Sequence, residues 1–447
     1  MNIWIDINHI PQWNFYKPLV ETVTRKGHCV WLTVLDRGKL AKIVRRETEQ
    51  LAHVQVDIVG RHRMTKWSAI VEANLIRDWQ LWHWARGKKI DIGFSNGMQL
   101  AMVCGQKGIP NYSFDDDPQT RDRKWKEKWN TECNFCVYED ETIGAPSHVL
   151  RCTKEWAYLN PRTFVPKVEV LEKYGVKPKE YMFLREVSVG TINYAGQASG
   201  AILGIKDMIP TDMRVLFSLE EKKRRGEYPA DWILLQEPIE DIHSLIYYSA
   251  GLVSSGDSMA REAALLGVPS YYLGIRYTMP ANAAASKVAQ LQNRKTMEFE
   301  EWIDSLVGQK LPTIDRKLDE ENKNIKNIDK NNENIILEET KKDLEKNEES
   351  SDTCSISTVL TPQSTHKQAS GLLDDSSRLT DTNAQCLSDD SSEKIVSLHS
   401  TPKNIENISS QAEVLLQRQV ELRKHIDEAF IDINAYMLSL VENVNND

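Results

Sequence analysis

The stretch "GDSMAREAALLGVPSYY" (256–272) sets small residues ahead of a helix-like run, with Glu262 in its first turns. Such a turn leaves backbone N–H groups and the positive end of a helix dipole open to an anion, as a diphosphate requires. The run Ser255-Gly256-Asp257-Ser258-Met259-Ala260 keeps side chains small apart from Met259, so a diphosphate could approach the backbone, and Glu262 is placed to accept both hydroxyls of a ribose. An ordinary helix start explains the same residues, with Asp257 or Ser258 as the cap and Glu262 as an acid favoured near the N-terminus. Residue types alone leave these two readings level.

Three further places hold groups able to do chemistry. "DINHIPQWNFYKPL" (6–19) gathers Asn8, His9, Gln12 and Asn14 after an apolar strand-like start. It lacks the glycine-rich dinucleotide fingerprint, which disfavours NAD, so His9 reads as a substrate contact or a simple exposed loop residue. "FDDDPQ" (114–119) offers Asp115, Asp116 and Asp117 as a general base or as ligands for a divalent cation. One general base without a metal is the expectation, and an exposed acidic turn is the bland alternative. Arg185, in "FLREVSVG", could meet phosphate or a leaving group, or form a surface ion pair with Glu186 or a linker acid. Cys133 and Cys136 have metal-like spacing but no second pair nearby, and read as two buried thiols.

These groups need elements to hold them. "MNIWIDI", "HCVWLTVLD" and "KIDIGF" read as strands separated by helical spacing, as do "EYMFLREVSVG", "DMRVLFSL" and "SAGLVSS" further on. Alternating strands and helices predict an α/β protein with two doubly wound, Rossmann-like domains. The expected boundaries are 1–152, a linker 153–180 and a second domain 181–310. Residues 311–410 are poor in aromatic and periodic apolar residues and predict a disordered tail. Within 411–447, Leu416, Ile426, Phe430, Ile433, Met437 and Leu440 recur at helical spacing, predicting a terminal amphipathic helix that docks on the body or self-associates.

Among the 447 residues the net charge is −9, which disfavours a nucleic-acid partner. Seven scattered cysteines, no basic and apolar leader and no long apolar window predict a cytoplasmic chain without a span. Tryptophans and basic residues mingle in "WQLWHWARGKK" (79–89) and "RDRKWKEKW" (121–129). Helix-face core is expected for 79–84, and an acceptor-side lid with peripheral membrane contact for 121–129.

On "WIDINHIPQWNFYKPL", "SNGMQLAMVCGQKGIPNYSFDDD", "KEWAYLNPRTFVP" and "EDIHSLIYYSAGLVSSGDSMAREAALLGVPS", residues 1–290 resemble the DUF354 family of glycosyltransferase-like proteins. The resemblance implies a GT-B fold, related to MurG-like transferases and UDP-N-acetylglucosamine 2-epimerases. In that group a glutamate five residues before the helix-ending glycine holds the ribose, a position that Glu262 occupies relative to Gly267. Small residues before it contact the diphosphate, a role that the resemblance gives to Ser258 and the backbone of Met259 and Ala260. It further implies a nucleotide-sugar donor, a glycan or lipid-linked acceptor, His9 or Asp116 as base, and Arg185 stabilising the leaving diphosphate without metal or other cofactor. The family tends to carry a His-Asp pair where this chain has Asn193-Tyr194, which implies altered or lost activity. A 2-epimerase-like enzyme and a non-catalytic binding or assembly protein are the alternatives.

Overall fold

The computed structural model describes residues 1–62, 72–118, 123–140, 143, 147–189, 194, 196–236, 239, 241–307 and 409–444. The tail expected to be disordered therefore lies outside the described residues except at its C-terminal edge, and so does Asn193.

The first domain is a seven-stranded parallel sheet: β1 (Asn2–Ile7), β2 (Cys29–Asp36), β3 (Val54–Arg61), β4 (Ile92–Ser95), β5 (Asn111–Asp115), β6 (Glu132–Cys136) and β7 (Ser147–Leu150). Its order is β3-β2-β1-β4-β5-β6-β7. Trp4 of β1 pairs with Trp31 on one side and Gly93 on the other, so the winding reverses between β1 and β4. Helices α1 (Ile10–Arg25) and α2 (Leu40–Thr48) connect the strands on one side of that reversal, α3 (Arg77–Trp84) lies in the crossover from β3 to β4, and α4 (Met98–Lys107) and α5 (Arg123–Trp129) connect strands on the other side. Helix α1 buries Trp13, Tyr16, Val20 and Val23, one stripe at helical spacing.

A short helix α6 (Trp156–Leu159) leads into the second sheet: β8 (Tyr181–Glu186), β9 (Arg214–Leu219), β10 (Ile233–Leu234), β11 (Gly251–Ser254), β12 (Ser270–Tyr272) and β13 (Gln292–Asn293). The order β10-β9-β8-β11-β12-β13 reverses between β8 and β11. Helices α7 (Ile242–Tyr247), α8 (Asp257–Leu265), α9 (Pro280–Ala289) and α10 (Phe299–Val307) complete this domain. The expected pair of doubly wound parallel domains is present.

The terminal segment is amphipathic as expected and is divided at Phe430 into α11 (Ser410–Ala429) and α12 (Ile433–Asn443). Ser409 caps the first helix and Asp432 the second. Phe430 leaves helical geometry and packs its ring on Tyr138 and Trp156. Docking is within the chain. Gln419 bonds the Tyr247 and Leu266 carbonyls, Arg423 the Leu159 carbonyl, and the Tyr436 hydroxyl Glu132 and Asn134. Gly267, at φ +75°, ends α8 where a Cβ would stand 2.7 Å from the Gln419 carbonyl oxygen, so glycine is needed both for backbone sign and for this approach. Leu416, Ile426, Phe430, Ile433, Met437 and Val441 are buried. At roughly 1.5–3 kcal/mol each, their burial rivals the ~5–15 kcal/mol net stability of a typical domain. A chain ending at residue 408 is thus expected to express as insoluble protein or to lose its cooperative melt; an unchanged melting curve would show the segment to be dispensable.

One expectation for the first domain is corrected. The tryptophans of 79–84 do not form a core stripe: α3 buries Arg77, Leu81 and Ala85, one helical turn apart, which turns Trp79 and Trp82 to solvent at 64% and 38% exposure. Trp84 is half-buried and rests on Trp4.

Candidate functional site

In open parallel sheets ligands bind beyond the carboxyl ends of the strands, where the winding reverses. The reversal in the first sheet places His9 after β1; in the second it places Ser255, Gly256 and the start of α8 after β11. The two loops meet in one charged cluster between the domains.

His9 is the N-cap residue of α1, in extended geometry, with no side-chain cap bond. Pro11 fixes the first turn, and the His9 carbonyl accepts from the Gln12 and Trp13 amides. Burial lowers the imidazole to about 4, aided by Arg37 and Lys154 and opposed by Asp116, so the ring is neutral at neutral pH. The acid turn does not converge on a single point. Lys126 holds Asp115 at 2.6 Å, Lys154 holds Asp116 at 2.9 Å, and Arg276 lies 3.5 Å from Asp117. Burial raises the Asp115 carboxyl. Burial would also raise Asp116, but Lys154 and Arg261 hold it well below the usual carboxylate range.

Arg261, buried in α8, is the centre of the cluster. Its Nε and Nη2 donate to Glu155 at 3.0 and 2.8 Å, and Nη1 donates to Asn282 at 2.7 Å. The same group reaches Asp257 at 3.4 Å and Asp116 at 3.3 Å. One guanidinium therefore joins the first domain, the connecting segment and the second domain. Asp257, the first residue of α8, is buried and takes a bond from the Tyr194 hydroxyl (3.2 Å) and an ion pair from Arg276 (3.2 Å). A carboxylate of the chain itself thus sits at the helix start considered for a diphosphate. The Ser258 amide donates to this carboxylate at 3.1 Å. Met259 packs partly into the core, and Ala260 is fully buried with its carbonyl held by Ser270.

Glu262 lies one residue past Arg261 and 8% exposed. The Tyr158 hydroxyl donates to it at 2.7 Å and His243 stands 3.5 Å away. Burial opposes its charge, but His243 and Tyr158 draw the carboxyl below its ordinary value. His243 also packs against the rings of Tyr158 and Phe164. These three aromatic residues form one wall of a cleft of ≈ 780 Å³, which α1 closes on the other side through Ile10, Asn14 and Lys17. Arg162 and Lys173 add positive charge to its lining.

Of the residues anticipated from sequence, His9, Asp116, Ser258 and Glu262 are brought into this region. Arg185 is the penultimate residue of β8, and its carbonyl accepts from the Ser255 amide at 2.9 Å, but its guanidinium is engaged by Ser218 and Glu220 of the second domain. Arg261 and Arg276 are the arginines that reach Asp257 at the start of α8. Lys154, Glu155, Tyr158 and His243 were not singled out; the first three stand in "KEWAY", and only their density of polar groups next to Trp156 hinted at them.

No family model and no curated protein matches the chain. Among solved structures it is similar to a UDP-GlcNAc 2-epimerase from Methanocaldococcus jannaschii, with a TM-score of 0.49 and 14% identity over 69% of this chain and 92% of that one. It is similar to the UDP-GlcNAc 2-epimerase from Neisseria meningitidis bound to UDP-GlcNAc at 0.49 and 13%, covering 69% and 91%. For MurG from Acinetobacter baumannii the values are 0.41 and 12%, covering 71% and 92%. The strand orders themselves define the class: a two-domain, doubly wound α/β protein with its candidate site between the domains.

Proposed function

We propose that this chain is a nucleotide-sugar-dependent glycosyltransferase of GT-B type, akin to the DUF354 proteins, which moves a sugar from a nucleoside diphosphate to a glycan or lipid-linked acceptor. The observation that carries the reading is Glu262: an ionised carboxylate at a winding reversal, behind the aromatic wall of a cleft large enough for a nucleotide. In this reading the ribose hydroxyls bond Glu262, the base lies along His243 and Phe164, and the diphosphate approaches Ser258 and Arg276. His9 serves as base in preference to Asp116, because a neutral imidazole can take a proton while a carboxylate held by Lys154 and Arg261 is a poor acceptor. Arg276 and the helix dipole take the charge of the leaving diphosphate, without a metal. The competing epimerase-like reading needs a proton acceptor in the acid turn, and pairing of Asp115, Asp116 and Asp117 with cations argues against it.

The test is a calorimetric panel of UDP, GDP, TDP, CDP and their sugars, followed by turnover with and without an acceptor. Base-selective binding with release of nucleoside diphosphate only when acceptor is present supports transfer; release without acceptor supports the epimerase; no binding removes both. Asp257 adds a directional prediction. Two like charges about 4 Å apart repel by roughly 4 kcal/mol at a protein surface, so its carboxylate opposes an incoming diphosphate. Asp257→Asn keeps the bond from Tyr194 and is expected to tighten nucleoside diphosphate binding by about tenfold, or ~1.4 kcal/mol. Weaker binding would make Asp257 a needed part of the site rather than an obstacle.

A further inference from the structure

The exposed tryptophans corrected above belong to a larger surface. Helices α3, α4 and α5 lie next to one another, and Trp82 of α3 is approached by Arg86 (5.7 Å) and by Lys107 of α4 (5.6 Å). On α5, Trp125 is 54% exposed with Lys128 over its ring at 5.4 Å. Just before α3, Leu75 is 66% exposed. Apolar rings and a leucine thus stand in solvent, with cations against Trp82 and Trp125.

The charge of this face runs against that of the molecule. Arg86, Lys107, Lys124 and Lys128 are exposed there, whereas the whole chain carries −9. Of the acids of α3 and α5, Asp78 is half-buried and Glu127 is paired with Arg123 at 2.8 Å, which leaves cations in excess on this face. An apolar helix face buried on a neutral protein partner has no use for a ring of lysines. Tryptophan rings at headgroup depth, with lysine and arginine stems reaching up to phosphate, match an anionic bilayer. Among the described residues no helix is long and apolar enough to cross a membrane, so the contact would be peripheral.

We propose that the α3–α4–α5 face of the first domain docks on an anionic lipid surface, through Trp79, Trp82 and Trp125 with the surrounding Lys and Arg side chains. The face adjoins the candidate site, since Lys126 of α5 holds Asp115. The proposal does not depend on the activity. The experiment is co-sedimentation of the full chain with vesicles of phosphatidylcholine alone and of phosphatidylcholine mixed with phosphatidylglycerol, at low and high salt. The chain is expected to pellet with the anionic vesicles and to be released by salt. Trp79→Ser/Trp82→Ser/Trp125→Ser is expected to weaken binding roughly tenfold or more while melting like the wild type, because surface substitutions seldom change stability. Arg86→Glu/Lys124→Glu/Lys128→Glu should remove the preference for anionic lipid. Equal binding to neutral vesicles, or unchanged binding of the serine variant, would overturn the proposal. So would absence of vesicle binding with concentration-dependent self-association that the serine variant abolishes, which would give the face to a second copy of the chain.

Discussion

Arg261→Met is expected to lower the melting temperature by on the order of 10 °C, the largest effect of any single substitution in the cluster. Methionine nearly matches the arginine stem, so the loss is electrostatic. Glu155 is 5% exposed and receives both of its bonds from Arg261 on one oxygen, while Oε2 has no protein partner. Removing the guanidinium leaves a buried, uncompensated carboxylate, which costs about 3–5 kcal/mol. Asp116 keeps Lys154 and Asp257 keeps Arg276, so Glu155 bears most of the penalty. Adding Glu155→Met to Arg261→Met should therefore recover much of the stability, and a double-mutant cycle reads the coupling directly. A single variant that melts within a degree of wild type would show that the network is a consequence of the fold rather than one of its supports.

The architecture was legible because βαβ winding writes a local signal: an apolar run, a turn and a helical stripe recur, and their alternation admits few topologies. The loops at the reversals were legible for the same reason, since strand ends can be placed before contacts are known. The pairing of the site was not. Arg261 meets Glu155 across 106 positions and Asp116 across 145, and no periodicity reports such distances. Arg185 shows the converse error: it lies near the end of the right strand, but the side chain turns to Ser218 and Glu220 at the neighbouring strand end. The tryptophans of α3 failed for a subtler reason. A stripe of Trp79 and Trp82 and the rival stripe of Arg77, Leu81 and Ala85 fit one helix equally well, and the ion pair between Arg77 and Asp6 at 2.7 Å turned the helix to the second.

Glu262→Gln is expected to abolish the response to nucleoside diphosphates while lowering the stability of the unliganded protein only modestly. The amide keeps an oxygen for the Tyr158 hydroxyl, so the local packing has no reason to change. What is lost is charge. A hydrogen bond to an ionised group contributes about 1.5–3 kcal/mol, and two ribose hydroxyls on one carboxylate would together bring a loss on the order of a hundredfold in affinity. The charge also contributes modestly in the empty protein, because His243, Tyr158 and Arg261 outweigh burial and draw the carboxyl below its ordinary value. The two effects differ in size, and the loss of ligand response is what separates a binding role from a structural one. If Glu262 were merely an acid near a helix start, the glutamine variant would melt lower and bind ligand unchanged. The pH dependence carries the same information: a carboxyl drawn below its ordinary value contributes above its unfolded pKa and loses that contribution as pH falls through the lowered folded one. Ligand affinity in the wild type should therefore hold through mildly acid solution and fall only below the usual carboxylate range. A fall in affinity already near neutral pH, absent from His243→Gln, would instead assign the ligand contact to the histidine in front of the carboxylate.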